Sequence, residues 1–219
     1  MTLHYYQNHA QDFFDGTVNV DMTPLYEAFT QHLPHGARVL DAGCGSGRDA
    51  KAFHERGYLV DAFDASSAMV ELARQHTGLP VQLMTFSEID GKAQYDGIWC
   101  CASLLHVPSS ELPKVMQKIA DALKPGGVWY VSFKYGNGER VQGERRFTDL
   151  DEEGLRELLG AVPAVVIGSL WVTEDNRPGR DEVWLNGVLK KASRCGVDEV
   201  ENVRIDDGVS VKVGLEFHT

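Results

Sequence analysis

An α/β protein built on a mostly parallel sheet with helices on both faces is the fold this chain predicts, on three observations. Short apolar runs alternate with helical stretches, the pattern that parallel strands joined by crossover helices leave in a sequence. The first clear run, Arg38-Val39-Leu40, passes through Asp41 into a turn in which every second residue, Gly43, Gly45 and Gly47, is glycine. No internal repeat, low-complexity tract or long linker interrupts the 219 residues, a length that suits one domain with a substantial core.

Thr23-Pro24 starts a first helix that buries Leu25, Phe29 and Leu33, and an aromatic segment with Tyr5, Tyr6, Phe13 and Phe14 precedes it. After the opening strand, a helical stretch from Arg48 to Arg56 stops at Gly57. Tyr58 to Phe63 reads as the second strand, ending in Asp64-Ala65-Ser66, and a helix from near Ser66 closes at Gly78. Val81 to Phe86 is the third strand and Gly97 to Ala102 the fourth. A helix from near Ser109 carries Leu112, Met116, Ile119 and Leu123 on one stripe, and Lys124-Pro125-Gly126-Gly127 ends it. Val128 to Lys134 is the fifth strand, followed by an acidic helix over about Asp151 to Leu159. Ala164 to Val172 and Val183 to Lys190 are strands six and seven; the polar connection between them is too short for a crossover helix, so they form an antiparallel hairpin. Beyond Lys191, Val200 to Ile205 and Val209 to Val213 alternate in polarity around Asp206-Asp207-Gly208, a hairpin signal.

The composition is ordinary for a globular chain, 43% hydrophobic and 24% charged, and the net charge of −11 disfavours a polyanionic partner such as nucleic acid. No apolar run is long enough to cross a bilayer, and the first residues lack the basic and apolar regions of a signal peptide, so the cytoplasm is the expected location. Cys44, Cys100, Cys101 and Cys195 have no metal-ligand spacing, and no bound metal is expected.

A strand, a loop without side chains and a helix N-terminus bring backbone N–H groups close to a nucleotide-like guest. The dinucleotide fingerprint places its third glycine where this chain has Arg48. The glycines instead run G-x-G-x-G behind Asp41, whose carboxylate repels a pyrophosphate but accepts hydrogen bonds from an ammonium group. That suits S-adenosylmethionine, with S-adenosylhomocysteine as product. Asp64, at the end of the second strand, stands where an acid binds both ribose hydroxyls, or caps the next helix.

With Tyr95-Asp96-Gly97-Ile98 and Leu123-Lys124-Pro125-Gly126-Gly127 added, the chain resembles the class I S-adenosylmethionine-dependent methyltransferases over roughly residues 36–190. Within them it is similar to a bacterial small-molecule group related to tellurite-resistance methyltransferases. That likeness rests on Tyr5-Tyr6, Asp21-Met22, Ala102 to Val107, Ser132 to Gly136, Phe147-Thr148-Asp149 and Arg177-Pro178-Gly179-Arg180. The resemblance implies a Rossmann-like three-layer sandwich whose seven-stranded sheet has only the seventh strand antiparallel. It also implies that Asp41, Gly43, Cys44, Gly45 and Gly47 lie along the methionine part, Asp64 at the ribose, and Ala65, Met69 and Phe86 at the adenine. Cys101, Ala102 and His106 would lie beneath the reacting end. The stretch Cys101-Ala102-Ser103-Leu104 lacks the Asn/Asp-Pro-Pro-aromatic pattern of amide- or base-nitrogen methyltransferases, and no carboxylate cluster for catalytic magnesium follows Asp96.

His106 is the candidate general base, or else a histidine that packs beneath the cofactor. The N-terminal segment, with Tyr5 and Tyr6, covers the site as a lid or simply packs into the core. Lys134, Arg140, Arg145 and Arg146 follow the fifth strand, and Arg177 and Arg180 precede the seventh, so both basic groups share one rim. Lys134, Arg146 and Arg180 are candidates to grip an anionic small-molecule acceptor, unless Glu139, Glu144, Asp175 and Asp181 neutralise this rim. Residues 1–190 are expected to form the methyltransferase domain (lid and first helix 1–35, core 36–190), and 191–219 an extension. An NAD(P)-dependent oxidoreductase and a catalytically silent S-adenosylmethionine-binding module are the other readings.

Overall fold

The sheet is ordered by where its chain reverses direction. In the computed structural model, which describes residues 2–175, 177 and 179–193, three helices come first: α1 (Thr2–Asn8), α2 (Ala10–Thr17) and α3 (Thr23–Thr30). Then follow β1 (Arg38–Ala42), α4 (Arg48–Glu55), β2 (Leu59–Asp64), α5 (Ser67–Thr77), β3 (Gln82–Leu83), β4 (Tyr95–Cys100), α6 (Leu112–Ala122) and β5 (Leu123–Lys134). The chain closes with β6 (Gly138–Gln142), β7 (Arg145–Asp149), α7 (Glu152–Leu159), β8 (Val165–Glu174) and β9 (Val183–Lys191). The seven-stranded sheet runs β3-β2-β1-β4-β5-β9-β8, with β9 antiparallel to both neighbours and the other pairs parallel. Strand order reverses between β1 and β4, and a crevice opens beyond the carboxyl ends of those strands.

Both faces of the sheet are covered, because successive strand residues point to opposite sides. Ile98, Cys100, Trp129 and Val131 pack beneath α6 and α7, with Met116, Ile119 and Leu155. Val39, Trp99 and Tyr130 face the other way, against Tyr26 and Phe29 of α3 and Phe53 of α4. On that side Trp99 and Tyr130 stack with ring centroids 3.9 Å apart. Aromatic side chains of this size dominate the burial energy of a core.

The expected mostly parallel seven-stranded sheet with its antiparallel member is the one observed. Three local expectations change. The aromatic N-terminal segment is itself helical, as α1 and α2. The third strand shrinks to two residues and passes into a 3-10 turn, Phe86–Glu88, with a capping box between Thr85 and Glu88. Residues 138–149, expected as loop, form a two-stranded antiparallel ribbon, β6–β7. The hairpin expected over Val200 to Val213, and most of the 191–219 extension, lie outside the described residues. Among the described residues no helix is long and apolar enough to cross a membrane.

Candidate active site

The crevice is shaped first by the turn after β1. Gly43 and Gly45 sit at φ +76° and +53°, a region costly for any residue with a Cβ. A Cβ on Gly43 would come within 2.7 Å of the Ser103 Cβ, and one on Gly45 within 3.2 Å of the Phe13 ring. The bare backbone therefore keeps this wall of the crevice open. The Asp64 carboxylate holds the turn from the end of β2, its two oxygens accepting from Gly45 N and Ser66 N, each at 2.9 Å. Ser66 Oγ, not Asp64, caps α5 by accepting from Met69 N at 3.3 Å. Burial pushes the Asp64 carboxyl up, and the Ser66 and Gly45 N–H groups hold it back.

Asp41, at the end of β1, is buried, and its Oδ2 has no hydrogen-bond partner. Burial first and then the Asp49 carboxylate push its pKa up. Asp49 stays ionised despite its own burial, because Arg48 binds it at 2.6 and 3.0 Å and the Tyr26 hydroxyl and Trp99 indole donate to it at 2.5 and 2.9 Å.

Beyond these residues lies a cleft of about 380 Å³. It brings together nine of the residues singled out in the sequence: Tyr6, Gly43, Gly45, Asp64, Ala65, Met69, Phe86, Ala102 and His106. Ala102 has φ +49°, a strained conformation, and its N–H donates to Ser132 Oγ at 2.8 Å. His106 ends the 3-10 turn Leu104–His106. Its Nδ1 lies 2.9 Å from the Arg146 carbonyl and its Nε2 2.8 Å from the Tyr6 hydroxyl. A carbonyl only accepts, so Nδ1 carries the hydrogen and Nε2 accepts from Tyr6. Burial lowers the His106 pKa to about 4, with the Arg145 and Lys134 charges adding to that and the Arg146 carbonyl opposing it.

Residues 39–127 match the family described as a methyltransferase domain. That match covers under half of the chain, which over this stretch is similar to methyltransferase domains. Its fold is the Rossmann-like one of the class I S-adenosylmethionine-dependent enzymes. A ubiquinone biosynthesis O-methyltransferase of Xanthomonas axonopodis pv. citri is 35% identical over 106 residues, 45% of this chain and 44% of that protein. The chain thus spans less than half the length of that relative. Among solved structures, the 1,6-didemethyltoxoflavin-N1-methyltransferase of Burkholderia thailandensis, with bound 1,6-didemethyltoxoflavin and S-adenosylhomocysteine, superposes with a TM-score of 0.70. It is 27% identical, over 87% of this chain and 85% of that one. The magnesium protoporphyrin IX methyltransferase of Synechocystis PCC 6803, with bound S-adenosylmethionine, shares the fold at 19% identity and a TM-score of 0.66, over 86% of this chain and 94% of that one.

The roof of the cleft is α1, which spans it from β7 to α5. The Arg146 N–H donates to Thr2 Oγ1 at 2.9 Å, and Gln7 exchanges hydrogen bonds with Ser66 and Ser67 at 3.1 and 2.8 Å. Of the four aromatic residues in this segment, Tyr6 and Phe13 line the cleft, meeting edge to face at 5.0 Å. Tyr5 turns to His9 and Arg145, and Phe14 to His76.

The remaining residues singled out in the sequence lie off the cleft lining. Gly47 packs on α5, where a Cβ would meet the Thr77 methyl at 2.7 Å. Cys44 and Cys101 have their thiols pushed up by burial, Cys101 to about 12, so neither is a nucleophile at neutral pH. Lys134 pairs with Glu182, Arg146 with Glu139 at 3.3 Å, and Arg180 with Glu182 at 3.6 Å. Arg177 pairs with Asp175 and helps hold that carboxyl at about 2 against its burial. Sequence reading gave Ser132 no role at the site and did not anticipate the strained Ala102 conformation, since neither leaves a compositional signal. Glu182, the partner of Lys134, lies far along the chain from it.

A histidine held near 4 takes up its proton later than the ordinary 6.5 as pH falls. The unfolded chain therefore binds that proton first, and the His106 contribution to stability is complete above about 6.5 and is withdrawn as pH drops towards 4. Urea midpoints at pH 7 and 4.5 should fall further for the native protein than for His106→Asn. Equal falls in the two proteins would show that His106 is not held neutral.

Proposed function

We propose that the protein is an S-adenosylmethionine-dependent methyltransferase acting on a small, anionic acceptor and releasing S-adenosylhomocysteine. The observation that carries this reading is the shared cleft: the Asp64 carboxylate and the bare backbone at Gly43 and Gly45 line the same space as a neutral His106 bonded to Tyr6. The buried Asp41, with an unpartnered oxygen, and the half-buried Asp64 suit an ammonium group and a ribose and oppose a pyrophosphate. In this reading Asp41, Gly43, Cys44, Gly45 and Gly47 hold the methionine part, Asp64 the ribose, and Ala65, Met69 and Phe86 the adenine. Cys101, Ala102 and His106 sit beneath the reacting end.

When bound, S-adenosylmethionine supplies an electrophilic sulfonium methyl group open to in-line displacement. The chain's own contribution is alignment and exclusion of water. Asp64 and the glycine turn fix one side, and Ala102, tied to Ser132, sets the floor. Tyr6 and Phe13 on α1 and α2 close the cleft against solvent. His106 Nε2 is an acceptor aimed at Tyr6, so a proton leaving an acceptor has a route through the Tyr6 hydroxyl to the imidazole. A base with a pKa of about 4 draws weakly on a neutral alcohol, which supports an acceptor that arrives ionised or nearly so. The finer likeness, to the small-molecule group related to tellurite-resistance methyltransferases, rests on the local motifs around Ala102 to Val107 and Ser132 to Gly136.

Calorimetry is the direct test. S-adenosylmethionine and S-adenosylhomocysteine should bind and NAD should not; the reverse pattern overturns the reading. A metabolite panel with labelled methyl donor then separates a working enzyme from a silent binder.

A further inference from the structure

Arg145 opens β7, one residue before Arg146, whose carbonyl meets His106 and whose N–H donates to Thr2, two residues of the cleft lining. Strand alternation places it on the same face as Phe147 and opposite Arg146. Its basic neighbours each have a carboxylate at ion-pair distance: Lys134, Arg177 and Arg180 share Glu182, Arg177 also meets Asp175, Arg140 meets Asp149 and Arg146 meets Glu139. Arg145 has no carboxylate at ion-pair distance among the described residues. Its guanidinium stands instead 4.5 Å from the Tyr5 ring and 5.2 Å from the Phe147 ring. Those two rings adjoin the cleft lining, Tyr5 meeting Tyr6 edge to face at 5.4 Å and Phe147 lying 5.0 Å from the His106 ring; the Arg145 charge opposes the rise that burial gives Tyr6 and adds to the fall of His106.

We propose that Arg145 is the specificity-determining residue of the acceptor site and that it anchors the oxyanion of a planar organic acid. Aromatic rings steady a guanidinium through its charge and its flat face, and its N–H edge then suits the two oxygens of a carboxylate. Such a fork costs little further side-chain ordering when the anion arrives, and charge-assisted pairs of this kind are the strong ones. A half-buried cation without a carboxylate is otherwise unfavourable, and an entering anion removes that cost. The inference rests on the methyltransferase reading for calling this an acceptor site, but the anion preference itself does not depend on the cofactor.

Benzoate and benzamide are matched probes, alike in ring and shape and different in charge. Titrated into the full chain saturated with S-adenosylhomocysteine, benzoate should bind about 10- to 50-fold more tightly than benzamide. Arg145→Gln should bring the two together, Arg145→Lys should keep only a few-fold preference, and Arg156→Gln, an exposed change on α7, should leave it intact. Equal binding of the two probes by the native protein overturns the proposal, and so does a preference that survives in Arg145→Gln. Should Arg145→Gln fail to fold, the drop in Arg145→Lys decides. Should S-adenosylhomocysteine not bind, the methyltransferase reading fails separately, and the same probe pattern is then required of the protein alone.

Discussion

Replacing Asp49 by alanine is expected to lower the free energy of unfolding by about 3–5 kcal/mol, the range for stripping one partner from a buried ion pair. Asp49 is 6% exposed and gathers four donors: two from Arg48, the Tyr26 hydroxyl and the Trp99 indole. Alanine leaves the guanidinium with the Thr17 carbonyl at 3.3 Å as its remaining hydrogen-bond acceptor, and strands a hydroxyl and an indole N–H in the core. Loss of an acid from the first turn of α4 adds a smaller penalty against the helix dipole. Against a total stability of about 5–15 kcal/mol such a loss is large, so the urea midpoint should fall steeply. Asp49→Asn keeps the shape and one acceptor and should fall between. A change in Asp49→Ala below about 1 kcal/mol, the size of an ordinary substitution, would mean that the four contacts do not form as a set.

Arg48 stands where a dinucleotide fold has its third glycine, and the structure shows what occupies that space. The guanidinium folds back on Asp49, beneath Tyr26 and Trp99, and joins α3, α4 and β4 through one carboxylate. The glycine turn, Asp64, the helix stop at Gly78 and the strands after it were legible because each leaves a local mark: an apolar run, an acid at a strand end, a positive φ. The β6–β7 ribbon leaves none. Gly138, Glu139, Val141 and Gln142 are all exposed, so period-two alternation is missing on β6, and only Phe147, Thr148 and Asp149 are buried on β7. Without the ribbon, Arg145 and Arg146 read as equivalent loop cations; with it they point to opposite faces and meet different partners. The N-terminal helices were hidden for a related reason. α2 has no capping side chain and α1 has no buried residue, so α1 is held by contacts with β7 and α5 rather than by its own sequence.

Asp64→Ala is expected to weaken S-adenosylhomocysteine binding by roughly 100-fold, and more than any other single change at the cleft. In the proposed role its carboxylate accepts from two ribose hydroxyls, and hydrogen bonds to a charged group contribute about 1.5–3 kcal/mol each when both partners are desolvated. Part of that gain is offset, because burial already disfavours the ionised carboxylate and the Gly45 and Ser66 N–H groups engage it before any ligand arrives. The same two bonds separate binding from architecture. Alanine frees the Gly45 N–H and loosens the turn, which lowers stability modestly, whereas Asp64→Asn retains an acceptor oxygen but no charge. The amide oxygen keeps only one of those two bonds, so the melting temperature without ligand should fall modestly, by no more than in Asp64→Ala, while S-adenosylhomocysteine affinity should still drop at least about tenfold. An Asp64→Asn protein that binds as tightly as the native one would show that the carboxylate serves the turn and not the ribose.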